Sequence, residues 1–141
     1  MTVQEVKAKL NSVRVKYREY ILARDKAAQF RDMISSPALR QSDTPQSEPG
    51  GNVTEQKYVK MLEYSENASE KFREYLLVRF DAERMISSLA DLNEWEVLTR
   101  RYILGEKWEN IAEKMHYSRR QITNIHGYAL SKISLNFPFY P

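Results

Sequence analysis

Residues 118–133 read SRRQITNIHGYALSKI, and their types and spacing suit recognition of a polyanion. Ile122, Ile125, Ala129 and Ile133 recur at steps of three and four, which puts them on one buried stripe of a helix. Ser118-x-x-Gln121 is a capping-box pattern and marks where that helix starts. With the isoleucines facing inward, the outward arc of the first turns is Arg119, Arg120, Thr123 and Asn124. Arginine pairs bidentately with guanine and asparagine with adenine, while a threonine methyl can touch thymine. That arc holds no acid, so double-stranded DNA is the candidate partner, with Ser118 and Gln121 at its rim. Arg100, Arg101 and Lys114, flanked by Lys107 and Lys132, are the candidate phosphate contacts that would orient the module.

Charge placement agrees. The 141-residue chain carries a net +3, and from Thr99 onward seven Lys/Arg stand against three acids. The end is therefore +4 and everything before it about −1, an asymmetry suited to binding driven by phosphate neutralisation. Other chemistries lack their residues. There is no cysteine and there are two histidines, so no disulfide framework or Cys-type zinc site is available, and neither metal nor cofactor is expected. No Ser/His/Asp or Cys/His constellation, glycine-rich phosphate loop or carboxylate cluster at metal spacing occurs, so an enzyme is not expected. His116 and His126 are expected in a turn and on the surface. The N-terminal MTVQEVKAKLN lacks the apolar core of a signal peptide, and no apolar run approaches membrane-spanning length. A cytoplasmic protein with no membrane partner is the expectation.

The elements that must hold the arc in place can be read upstream. Asp91-Leu92-Asn93-Glu94 looks like a helix start, with Trp95, Leu98, Tyr102 and Ile103 as its apolar face and Gly105 as a left-handed C-cap. Trp108, Ile111, Ala112 and Met115 mark a short second helix, and Trp95 and Trp108 are expected in the core. The small Ala112 sits where two helices must cross closely, and a turn follows four residues later. Ile122 and Ile125 then anchor the next helix, which is the packing logic of a helix-turn-helix. His116 holds the turn position where glycine is common, and histidine tolerates the left-handed region better than most residues.

Before residue 91 the chain reads as two long helices. Thr2 to Ile34 opens on the capping box Thr2-x-x-Glu5 and carries Val3, Val6, Leu10, Val13, Tyr17 and Tyr20 as a narrow seam, continued by Arg24, Ala27 and Ile34. A second segment, Val53 to Leu89, opens on Asn52-x-x-Glu55 and carries Tyr58, Met61/Leu62, Ala68, Phe72, Tyr75/Leu76, Ala82, Ile86 and Leu89. Between them the Ser/Pro/Gln/Gly-rich stretch 35–52 is a linker. The expected fold is all-α: a long antiparallel, coiled-coil-like helical hairpin over 1–90, then a three-helix DNA-binding domain over 91–135 and a tail over 136–141. The seam must be buried, either within one chain or against a second copy as a homodimer, and the sequence leaves both open.

Trp95 to Ile133 resembles region 4 of the sigma-70 factors in its R-x-Y/F segment, its W/L-E-x-I-A helix and its S-R-R-Q-I-x-x-I-x-x-x-A-L-x-K run. The resemblance covers the last 40 or so residues and implies base reading by Arg119, Arg120, Thr123 and Asn124. One of that family's readers is normally acidic, and Arg120 stands there, which implies a different promoter preference. The layout of the whole chain is similar to the small sigma-like regulators of phages and prophages of Gram-positive bacteria, of the RinA and ArpU type. That implies a late-gene activator that contacts bacterial RNA polymerase. Nothing resembles the promoter-melting region of a sigma factor, so duplex binding without opening is expected. Two other functions fit the same features: a small terminase-like DNA-recognition subunit of phage packaging, and a helical interaction protein whose basic end is incidental.

Overall fold

Thr2 and Glu5 close the first capping box. Thr2 N donates to Glu5 Oε2 at 2.9 Å, and Glu5 N donates to Thr2 Oγ1 at 3.2 Å. The computed structural model describes residues 1–35 and 50–139, with side chains from residue 54 onward in the second stretch. Helix α1 spans Val3–Ser35 and α2 spans Gly50–Ile86. Two shorter helices, α3 (Leu92–Leu98) and α4 (Trp108–Met115), precede α5 (Arg119–Asn136). A π-helical turn, Thr99–Ile103, extends α3. The described residues form an all-α fold without strands, and no helix among them is long and apolar enough to cross a membrane.

Most of the expected linker, residues 36–49, lies outside the described residues. Helix α2 starts at Gly50, ahead of the expected Val53, so Asn52 falls inside the first turn. The first four N–H groups of a helix need no intrahelical partner, so a Gly-Gly start is tolerated there.

The chain packs as two compact units, Met1–Lys16 with Tyr75–Pro141, and Tyr17–Glu74. In the second unit α1 and α2 run antiparallel. Tyr20 meets Phe72 at 4.9 Å between ring centroids, and Phe30 meets Tyr64 edge-on at 5.2 Å. Ala23 and Ala27 are buried here, whereas Arg24, expected in the seam, is exposed. Alanines let two helices approach, and a guanidinium at the same place would lose its hydration. Tyr58 and Leu62, also expected on the buried stripe, are exposed.

In the first unit Val6, Leu10 and Val13 of α1 are fully buried, as are Met85 and Ile86 of α2, with Lys9 reaching Asp81 at 3.8 Å. The Met1 ammonium donates to the carbonyls of Phe137 and Pro138 at 2.9 Å each, and Ser134 Oγ donates to the Met1 carbonyl. These bonds tie the start of the chain to the end of α5.

Helix α3 corrects one expectation. Asp91 caps it, accepting from Glu94 N at 3.0 Å, but Trp95 is 42% exposed and Val97 takes its place in the core. The cause is the π-helical turn, in which Leu104 N bonds to Thr99 O at 3.0 Å. One extra residue in that turn advances the phase of the helix by about 100°. Val97 and Leu98 before the turn and Tyr102 and Ile103 within it therefore share one inward face, and Trp95 falls outside it. Glu94 is also buried, paired with Lys132 of α5 at 2.6 Å.

Candidate nucleic-acid interface

The platform under the candidate arc is a small apolar cluster. Val97 of α3, Ile111 of α4 and Ile122 of α5 are fully buried together, with Trp108, Ala112, Met115, Tyr117 and Ile125 packed around them. Each buried aliphatic side chain contributes about 1.5–3 kcal/mol, enough to fix α4 and α5 against α3. Helix α4 ends at His116, which adopts the left-handed conformation (φ 59°, ψ 40°) and lets Tyr117 N bond back to Ala112 O at 3.0 Å. Asn93 of α3 donates to the Tyr117 hydroxyl at 3.0 Å and braces the turn.

Helix α5 then starts on a complete capping box. Gln121 N donates to Ser118 Oγ at 3.1 Å, and Ser118 N donates to Gln121 Oε1 at 2.8 Å. The side chains of Ser118 and Gln121 thus set the angle at which α5 emerges. Beyond them Arg119, Arg120, Thr123 and Asn124 are all exposed, as the spacing requires. Arg119 donates to Glu109 of α4 at 3.0 Å, with both side chains well exposed, and Thr123 Oγ1 donates to Arg119 O at 3.0 Å. That bond turns the Thr123 hydroxyl onto its own backbone. Arg120 and Asn124 form no hydrogen bond or ion pair with any described residue, and they lie one turn apart on the same strip.

The candidate phosphate contacts sort differently. Arg100 is held between two carboxylates, Glu96 at 2.7 Å and Glu106 at 3.2 Å, and its hydrogen bond to Glu96 raises its already high pKa. Arg101 donates to the Glu106 carbonyl at 3.1 Å and lies over the Trp108 ring at 4.5 Å. Lys114, half exposed, reaches Glu106 Oε1 at 2.8 Å. Glu106 therefore gathers three cations from the π-helical turn and α4. Lys132 is occupied by Glu94, which raises its pKa. Arg100 is half-buried and committed to two carboxylates, whereas Lys114 keeps its ammonium at the surface.

His126, expected at the surface, is half-buried. Its ring stacks on Tyr102 at 5.7 Å and meets the edge of Trp108 at 4.9 Å, and Nε2 lies 2.7 Å from the Tyr102 hydroxyl. Burial, reinforced by the positive charges of Lys7 and Arg101, lowers its pKa to about 4. Burial raises that of Tyr102.

Two further residues of the site were not singled out from sequence. Glu106 sits between helices, where no periodicity flags it. Gly127 lies mid-helix, one turn beyond Thr123 and Asn124, and a Cβ there would meet nothing within 4 Å. A mid-helix glycine costs about 1 kcal/mol relative to alanine, and no neighbour among the described residues requires it. The exposed strip of Arg120, Thr123 and Asn124 therefore continues onto bare backbone. No protein-family model, curated protein or solved structure matches this chain.

Proposed function

We propose that this protein is a sequence-specific double-stranded DNA-binding regulator of transcription, in which α4 and α5 act as a helix-turn-helix. Helix α5 enters the major groove, with Arg120 and Asn124 reading base edges and Arg119 and Thr123 alongside them. The observation that carries this reading is the exposed strip of Arg120, Asn124 and Gly127, without partners among the described residues and rooted in the Val97, Ile111 and Ile122 cluster. Arg119 leaves Glu109 for DNA, an exchange between two exposed pairs that costs little. Lys114 supplies a phosphate contact, and Glu106 aims it. The late-gene activator role and the contact with RNA polymerase rest on the resemblance of residues 95–133 to sigma-70 region 4.

Selection of duplexes from a random-sequence pool by the full chain, followed by anisotropy titration at several salt concentrations, tests the proposal. Enrichment of a compact motif, with affinity falling as salt rises, is the expected result. Recovery of an unenriched pool with salt-insensitive binding would overturn it.

A further inference from the structure

All 18 residues of α5 are free of acid, so its exposed side stays open to an anion well beyond the first turn. At 100° per residue, Gly127, Arg120, Ser131, Asn124 and Tyr128 fall in that angular order within an arc of about 100°. Each of the five is exposed, and the buried Ile122, Ala129 and Ile133 lie outside the arc. Tyr128 stands one turn beyond Asn124, beside Gly127, and is 66% exposed. Its ring and hydroxyl make no hydrogen bond or ring contact with any described residue.

We propose that Tyr128 is a phosphate contact, its hydroxyl donating to the DNA backbone where α5 leaves the major groove. The inference rests on the reading of α5 as the recognition helix and adds the point at which that helix meets the groove wall. Tyr128 lies about 12 Å along the axis from Arg120 at 1.5 Å per residue. The major groove is itself about 12 Å wide and curves, so a straight helix whose first turns read bases has met a phosphate strand by that height. A phenol suits the place: it donates one O–H to an oxygen that only accepts, and its flat ring covers the sugar. At the neighbouring Gly127 an added Cβ would meet nothing within 4 Å, so the strand can come close enough for the hydroxyl to reach it. A protein partner is the poorer occupant, because Arg120, Asn124, Gly127 and Ser131 around the ring supply no apolar surface. Being neutral, Tyr128 fixes the position of α5 without adding to the counterion release that the lysines and arginines drive.

Phosphate-ethylation interference on a duplex selected by the full chain tests the proposal, with wild type and Tyr128→Phe compared side by side. The expected result is a backbone position, within about four base pairs of the guanine that Arg120 reads, whose ethylation blocks the wild type. Tyr128→Phe should be indifferent at that position alone. In anisotropy titrations the same variant should bind the selected duplex about ten-fold more weakly, the loss of one hydrogen bond to a charged group. Its base preference, salt dependence and melting midpoint should stay unchanged, whereas Lys114→Ala should flatten the salt dependence. An interference pattern shared by wild type and Tyr128→Phe, equal affinity of the two, or an altered base preference overturns the proposal and leaves the regulator reading standing. An unenriched duplex pool overturns that reading, and this inference with it.

Discussion

Substituting Gly127→Ala should make the protein more stable and a poorer DNA binder at once. Gly127 sits in the interior of α5, and an added Cβ finds nothing within 4 Å. No contact or strain opposes the change, so the full helix-propensity difference of about 0.8–1.0 kcal/mol should appear as stability. For a chain of this length that corresponds to a rise of about 3–5 °C in the melting midpoint, measurable by calorimetry without DNA. If α5 seats in the groove with its backbone close to DNA, the same methyl occupies space the duplex needs. A steric cost of about 1–2 kcal/mol would weaken binding roughly ten-fold, read by anisotropy on a selected duplex. An unchanged or lowered midpoint would refute the open helix face. Unchanged or tighter DNA binding would refute the close approach of backbone to groove.

Three other outcomes follow from the same geometry. His126 is held neutral, its pKa lowered from 6.5 to about 4 mainly by burial, so the unfolded chain binds more protons between those values. Stability should therefore be complete above pH ~6.5 and fall by on the order of 2 kcal/mol toward pH 4, after allowing for solvent screening. Urea titrations across that range should show a flatter profile in His126→Gln. Ile122→Ala removes a fully buried side chain from the α4–α5 contact and should cost about 2–5 kcal/mol in chemical denaturation. Glu106→Gln leaves Arg100 its bond to Glu96 but releases Lys114, and should lower stability by about 1 kcal/mol. A loss above 3 kcal/mol would mean that Glu106 carries the domain rather than aims a lysine.

What the sequence allowed depended on whether a residue's role was written in local spacing. Capping boxes at Thr2 and Ser118, the left-handed turn at His116 and the inward set Ile111, Ile122, Ala129 and Ile133 follow from periodicity and short-range hydrogen bonding. The structure bears them out. Trp95 was misread because a π-helical turn shifts phase, and no residue type in TRRYI announces that turn. Arg24 and Leu62 were misread because a seam counted at steps of three and four drifts around a long helix, and neighbours such as Ala23 take over. Arg100 looked like a surface cation until Glu96 and Glu106 enclosed it. One of those acids is a helical neighbour four residues away, and the other comes from a loop. His126 likewise gained its setting from Tyr102 and Trp108 on other elements. Gly127 owes its meaning to three-dimensional packing, because no described residue occupies the space beside it.

Guanine-N7 methylation interference on a selected duplex tests base reading by α5 most directly, because N7 lies in the major groove where an arginine fork must reach. A short cluster of guanines whose methylation blocks the wild-type protein, with one position relieved in Arg120→Ala, is the expected result. Binding indifferent to methylation at every guanine, or a pattern that Arg120→Ala leaves unchanged, would contradict it.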